Sequence, residues 1–312
     1  MPHSGSGNGS TPILQRVGLA GAAARFAQRT YAADYIALGF LVAGWVLIQL
    51  FVSPFHRMFS LDNRAIQYPF AVHERVPVLW SVVFAGLIPF LIILAWSAML
   101  RAGVQKTQVT VLGLFVALML TSLLTDIIKN AAGRPRPDLL SRCKPSRGTS
   151  NNALVAWTVC TESNQHILQE GWRSFPSGHS SFSFGGLGYL YLFLCGQMHV
   201  FRPRTDLGRC LLAFFPLLCA LMVALSRLAD YRHDVYDVTC GGLLGMLIAW
   251  FSYRRYYPPL RSVMCDVPYD KAGIAGPDGF AKLGDEEALA QPFISRPDPS
   301  ENYQLQDAEP SR

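Results

Sequence analysis

Three clusters of side chains between Lys129 and Asp237 hold the parts of one reaction. They are Lys129 followed by Arg136-Pro137, the tetrapeptide Pro176-Ser177-Gly178-His179, and Ser226-Arg227 followed by His233 and Asp237. Together they offer fixed cations, two imidazoles and a carboxylate. His233 and Asp237 are four residues apart, a spacing that predicts neighbours on one helical face. The carboxylate can accept the Nδ1 proton, which fixes the tautomer and leaves Nε2 a free lone pair. An imidazole held this way is a competent nucleophile toward phosphorus. Arg227 would meet a phosphate oxygen with a planar fork. Pro176 favours the first turn of a helix, and the N–H groups of Ser177 and Gly178 can face an anion at the positive helix end. His179 then sits in that first turn, placed to give a proton to a leaving oxygen and later take one from water. Lys129 and Arg136 can neutralise phosphate oxygens as charge builds in the transition state.

Each cluster also has a plain structural explanation. His233 and Asp237 fit a surface pair at a helix start, and Pro176–His179 fits a capped, Pro-initiated helix. Lys129 and Arg134, taken singly, fit a basic membrane flank whose side chains snorkel to the surface. Asp126 fits a partner for Lys129 inside the helix. Order and position decide between these explanations, and both come from the elements that carry the clusters.

Of the 312 residues, 51% are hydrophobic and only 15% charged, where a soluble domain carries about 25% charged residues. Six apolar runs approach the length of about 20 residues that a spanning helix needs: Tyr35–Val52, Val78–Leu100, Val109–Ile128, Phe182–Gln197, Cys210–Leu225 and Val235–Tyr253. The fourth and fifth are short unless they extend into the flanking motif residues. The expected fold is therefore all-α and polytopic, with six transmembrane helices spanning 31–257 and the site at helix ends on one membrane face. No cleavable leader is visible before the first run. Residues 1–30 read as a cytosolic tail in which Gly18–Arg29 is either a surface helix or a basic flank.

The net charge of +6 is uneven. From Arg261 onward there are five Lys/Arg and ten Asp/Glu, and residues 258–312 read as a disordered cytosolic tail. The cations sit at membrane boundaries or in the motifs, so nothing points to nucleic acid. With the amino terminus in the cytosol, Arg101, Lys106, Arg202, Arg204, Arg209, Arg254 and Arg255 fall on cytosolic connections, as the positive-inside bias requires. The basic connection 129–172 runs against that bias, and cations kept there for chemistry account for it. Both termini are then cytosolic and the site luminal or extracellular. The first cluster ends span three, the second opens span four and the third joins spans five and six. Whatever the absolute orientation, all three face the same side.

In their order these motifs resemble the type-2 phosphatidic acid phosphatases, or lipid phosphate phosphatases, relatives of vanadium haloperoxidases and bacterial acid phosphatases. The family pattern is Lys, six residues, Arg-Pro; Pro-Ser-Gly-His; and Ser-Arg, five residues, His, three residues, Asp. Every position is present here, and the resemblance extends over roughly 30–255. The sequence looks most like fungal enzymes acting on diacylglycerol pyrophosphate, phosphatidate and lysophosphatidate. The resemblance implies His233 as nucleophile forming a phosphohistidine, Asp237 as its orienter and His179 as general acid. It implies Lys129, Arg136, Ser177, Gly178 and Arg227 as phosphate ligands, no metal and no cofactor. The expected partner is a lipid phosphate entering from the bilayer. A polyprenyl pyrophosphate phosphatase, a head-group transferase and an anion transporter or channel are the alternatives; organelle and oligomeric state are left open.

Cys143 and Cys160 share the long connection and could form a bridge on an oxidising side. Trp157 and Trp172 suit headgroup level. Gly185, Gly186 and Gly188 suit close helix packing.

Overall fold

In the computed structural model, which describes residues 31–269, the long helices follow the apolar runs. They are α1 (Ala32–Phe51), α2 (Val78–Met99, with one π-helical turn at Val83–Leu87) and α3 (Val104–Ala132). Two short helices follow, α4 (Leu139–Cys143) and α5 (Gln165–Glu170). The remaining long helices are α6 (Gly178–Gln197), α7 (Leu207–Ala229) and α8 (Val235–Tyr256). All secondary structure among the described residues is helical apart from two isolated bridges. The expected tail helix at 18–29 and most of the acidic tail lie outside the described residues. Residues 258–269 pack back on the helices: Cys265 is buried, and Gln197 donates to the Asp266 carbonyl at 3.0 Å.

Five helices, α1, α2, α3, α7 and α8, are long and apolar enough to cross a membrane. Their outward positions carry exposed Phe40, Leu50, Leu79, Met222, Leu243 and Leu247. So much exposed apolar surface is unusual for a soluble protein and is what a lipid-facing wall needs. The fourth run, Phe182–Gln197, behaves differently. α6 begins at Gly178, four residues before its apolar stretch, and is less apolar because the others enclose it: Gly185 through Gly196 are all buried. A central helix needs no lipid-facing side, so its sequence carries Ser, Gly and Tyr instead.

Small residues set how closely the wall approaches α6. A Cβ on Gly186 would strike the Ala85 carbonyl, and one on Gly245 would strike the Ser181 carbonyl. Thr121 faces Gly185 and Met246 faces Gly188, so the glycines do serve helix packing.

The long connections after α1 and α3 meet over the same end of the bundle. Phe59 and Val155 pair through reciprocal backbone hydrogen bonds of 3.1 and 2.8 Å. A second small core of Phe59, Ile66, Leu139, Leu168 and Trp172 lies beneath them. Trp172 is fully buried, donating its indole N–H to the Arg57 carbonyl at 2.9 Å. It is a core residue and not the interfacial anchor its type suggested, because this cap has an apolar interior of its own. Cys143 and Cys160 form a disulfide across it.

Gly245→Ala should destabilise the protein by about 1–3 kcal/mol, the usual cost of overpacking. Gly39→Ala, with open space around it, should be neutral or slightly stabilising. Thermal unfolding in detergent compares the two, and equal midpoints would contradict the packing argument.

Candidate active site

The end of α7 shapes the third cluster. The Tyr231 N–H donates to the Leu228 carbonyl (3.0 Å) and the Arg232 N–H to the Arg227 carbonyl (3.1 Å), the pattern of a Schellman stop. Tyr231 takes the left-handed conformation at φ 52°, costly for a side-chain-bearing residue. Stacking on Tyr68, with centroids 4.6 Å apart, helps hold it there. The stop turns the chain so that buried His233 lies just before Asp234, the N-cap of α8.

His233 and Asp237 therefore do not share a helical face, because the helix begins between them. Asp237 is the third residue of α8 and closes a capping box, its Oδ2 accepting the Asp234 N–H at 3.0 Å. The same oxygen accepts the Ser174 hydroxyl at 2.6 Å, and Oδ1 accepts Arg134 Nη1 at 2.7 Å. His233 Nδ1 stands 3.7 Å from Oδ2, beyond hydrogen-bond length, and is buried without a partner. Burial lowers the pKa of this ring below the ordinary imidazole value, and Arg136 and Lys129 push it further down against the pull of Asp237. Burial and the neighbouring cations thus favour the neutral form of the ring.

The second cluster joins the third through the backbone. The Ser177 N–H donates to the Asp237 carbonyl at 2.9 Å, and Ser177 Oγ caps α6 by accepting the Ser180 N–H at 3.4 Å. Ser177 is thus the N-cap and Pro176 lies outside the helix, joined to Phe175 by a cis peptide. The Ser177 N–H is engaged by protein rather than turned toward an anion. Gly178, the first helical residue, lies against Lys129: a Cβ there would sit 3.3 Å from Nζ. His179 is close enough to Arg227, His233, Lys129 and Arg136 to interact with their charges, and its Nε2 is buried without a partner.

The two arginines expected to bind phosphate are held by carboxylates that the motifs do not contain. Arg136 Nη2 donates to Glu170 at 2.7 Å. Burial would raise the Glu170 carboxyl, but Arg136, Lys129 and Arg173 overcome that and hold its pKa down to about 2. Arg227, 1% exposed, donates to Glu74 (2.7 Å), Asp230 (3.0 Å) and Ser226 Oγ (3.1 Å). Asp126 binds Trp45, Gln49 and Arg173, so its carboxylate ties α3 to α1 and to the connection before α6, not to Lys129. Arg134 is no mere flank either, since it bridges Asp234 (2.9 Å) and Asp237.

Sequence reasoning missed Ser174, Glu170 and Glu74 and misplaced Arg134. Only Arg134 carried a usable signal, its position within the first motif. A cavity of about 320 Å³, lined in part by Arg57, Arg134, Pro135 and Asp234, reaches this edge of the site.

The arrangement is a set of cations around two rings, His233 buried and His179 half-buried, drawn from three helix ends. It can bind an anionic phosphoryl group, attack it and move a proton. The sequence matches the PAP2 superfamily over residues 110–260, and the chain belongs to that superfamily. Among similar proteins is "Probable diacylglycerol pyrophosphate phosphatase 1" of Schizosaccharomyces pombe, 38% identical over 77% of this chain and 86% of that one. "Diacylglycerol pyrophosphate phosphatase 1" of Saccharomyces cerevisiae is 44% identical over 67% of this chain and 73% of its own length. "Lipid phosphate phosphatase 1" of Arabidopsis thaliana is 37% identical over 82% of this chain and 74% of its own.

His233 ties stability to pH. The unfolded ring gains a proton near 6.5, whereas the folded ring resists it, so stability must fall as pH drops below that value. His233→Gln should lose less unfolding temperature between pH 7 and 5 than the parent protein. Equal losses would contradict a buried neutral ring.

Proposed function

We propose that this protein is a membrane-embedded phosphatase that removes the terminal phosphate of a lipid phosphate, using His233 as the nucleophile and no metal. The supporting observation is the meeting of His233, His179, Lys129, Arg136 and Arg227 within electrostatic reach, each histidine keeping a buried, unpartnered ring nitrogen. The substrate class follows from the relatives, which are named for diacylglycerol pyrophosphate and lipid phosphates. Phosphatidate and lysophosphatidate offer the same phosphoryl end.

In this mechanism Lys129, Arg136 and Arg227 bind the phosphoryl oxygens, aided by the Gly178 backbone N–H and the positive end of α6. Asp237 needs a small movement to accept a hydrogen bond from the Nδ1–H of His233, which directs the Nε2 lone pair at phosphorus. The Nε2–P bond forms as the P–O bond to the lipid breaks, and His179 delivers its proton to the departing oxygen. Water then attacks phosphorus, passes a proton to His179 and breaks the N–P bond. The guanidinium and ammonium groups supply the charge stabilisation that a metal supplies elsewhere.

All six long helices cross the bilayer in this reading. α6 has 20 residues, about 30 Å of helix and enough to span. An even number of crossings puts residues 1–30 and 258–312 on one side of the bilayer, and the positive-inside bias of the connections favours the cytosol for that side, with the site on the luminal or extracellular face. The Cys143–Cys160 bridge fits that oxidising side. A lipid then reaches the cup sideways from the adjacent leaflet. An anion transporter would use the cations but has no need of two rings and a carboxylate.

Detergent-solubilised protein should release inorganic phosphate from phosphatidate and diacylglycerol pyrophosphate, equally with and without EDTA. His233→Ala should lower turnover roughly a thousandfold or more in folded protein. Phosphate release that EDTA abolishes and Mg²⁺ restores, or an active His233→Ala, would refute the mechanism. A polyprenyl diphosphate hydrolysed in clear preference would move the substrate assignment.

A further inference from the structure

Glu74 belongs to none of the three motifs. It lies in the connection between α1 and α2, where residues 68–75 form a strap across the arginines at the end of α7. Tyr68 stacks on Tyr231, and the Phe70 ring lies 4.5 Å from the Arg142 guanidinium and 4.6 Å from that of Arg232. Arg75 binds Asp230 through its backbone N–H (2.9 Å) and its guanidinium (2.6 Å). Anchored on both sides, Glu74 sets one oxygen 2.7 Å from Arg227 Nη1 and the other 2.7 Å from Arg232 Nη2. It is also close enough to Arg136 to act on that cation's charge. A protein carboxylate thus holds an N–H donor of a buried arginine that a substrate phosphate would use.

We propose that Glu74 is an internal competitor for the substrate's phosphoryl group and so determines which head groups the site accepts. This rests on the phosphatase reading above. A terminal phosphate brings a charge of about −1.5 to −2 and three acceptor oxygens, against the single charge of Glu74, so the arginines gain by the exchange. A phosphodiester brings one charge and gains nothing over a carboxylate tethered beside the arginine at high effective concentration. The phosphodiester lipids of the surrounding bilayer are thereby refused, while phosphomonoester and diphosphate ends are admitted. The Glu74 side chain is 24% exposed, and the strap borders a cavity of about 400 Å³ lined in part by Phe70, His73, Arg75 and Tyr231. The displaced carboxylate has room to move aside.

The test compares the purified full chain with Glu74→Gln for binding of inorganic phosphate and dimethyl phosphate by calorimetry, and for KM and kcat on phosphatidate. Removing the competing charge should tighten inorganic phosphate roughly tenfold, lower KM, and turn dimethyl phosphate from a non-binder into an inhibitor. Weaker phosphate binding with a raised KM would show that Glu74 merely positions Arg227, and would overturn the proposal. Unchanged constants would overturn it too. If the glutamine variant does not purify, Glu74→Asp decides: withdrawing the carboxylate by one methylene should also tighten phosphate, whereas a positioning role predicts weaker binding. Parent protein that neither binds phosphate nor releases it from phosphatidate would sink the phosphatase reading itself. Active parent protein with an unaltered variant would sink this inference alone.

Discussion

One buried carboxylate ties the three clusters together. Asp237, 0% exposed, accepts Arg134 from the first cluster, lies 3.7 Å from His233 in the third, and caps its own helix through Asp234. Its backbone carbonyl accepts the Ser177 N–H of the second cluster, and its side chain accepts the Ser174 hydroxyl. A buried charge is tolerable only when its lone pairs are satisfied, and here each acceptor position goes to a group that must be placed. Satisfying Asp237 and assembling the cup are one event.

Around that tie the fold must keep many cations close together with little water. Lys129, Arg136 and Arg227 are buried, and unpaired burial would be prohibitive. Glu170, Glu74 and Asp230 compensate them from outside the motifs; Glu74 lies in the stretch between α1 and α2, and Glu170 ends the short helix α5 in the stretch between α3 and α6. The long connections after α1 and α3 therefore act as a counter-charge frame as well as a cap, fastened by the bridge from Cys143 to Cys160. α6 carries the charges of neither frame. It supplies the backbone end, Gly178 against Lys129, and His179.

Much of this could be read from residue types. Apolar runs gave the long helices to within a few residues, since period and length are local properties. The clusters were legible because catalysis needs particular groups in a particular order. Contacts made by connections were not. Nothing in the spacing of Glu74 or Glu170 marks them as partners of Arg227 and Arg136, because those partners are far away in sequence. Arg134 looked like a flank because its acceptor lies across the bundle. His233 and Asp237 show a subtler limit: an interval of four suggests one helical face, but a Schellman stop and a capping box bring the residues near each other by another route. α6 read as a short apolar run for the opposite reason, since a helix enclosed by protein needs no lipophilic exterior and begins in its motif residues.

The account depends most on His233 Nε2 bonding to phosphorus, and a trapped intermediate tests that directly. An activated aryl phosphate needs no proton for its leaving group, so His179→Ala should form the phosphoenzyme from it and fail to hydrolyse it. Alkaline quenching and peptide mass spectrometry should then find an alkali-stable, acid-labile phosphoryl group on His233. A phosphoryl group on any other residue, or none under conditions where the aryl phosphate is consumed, would contradict the account.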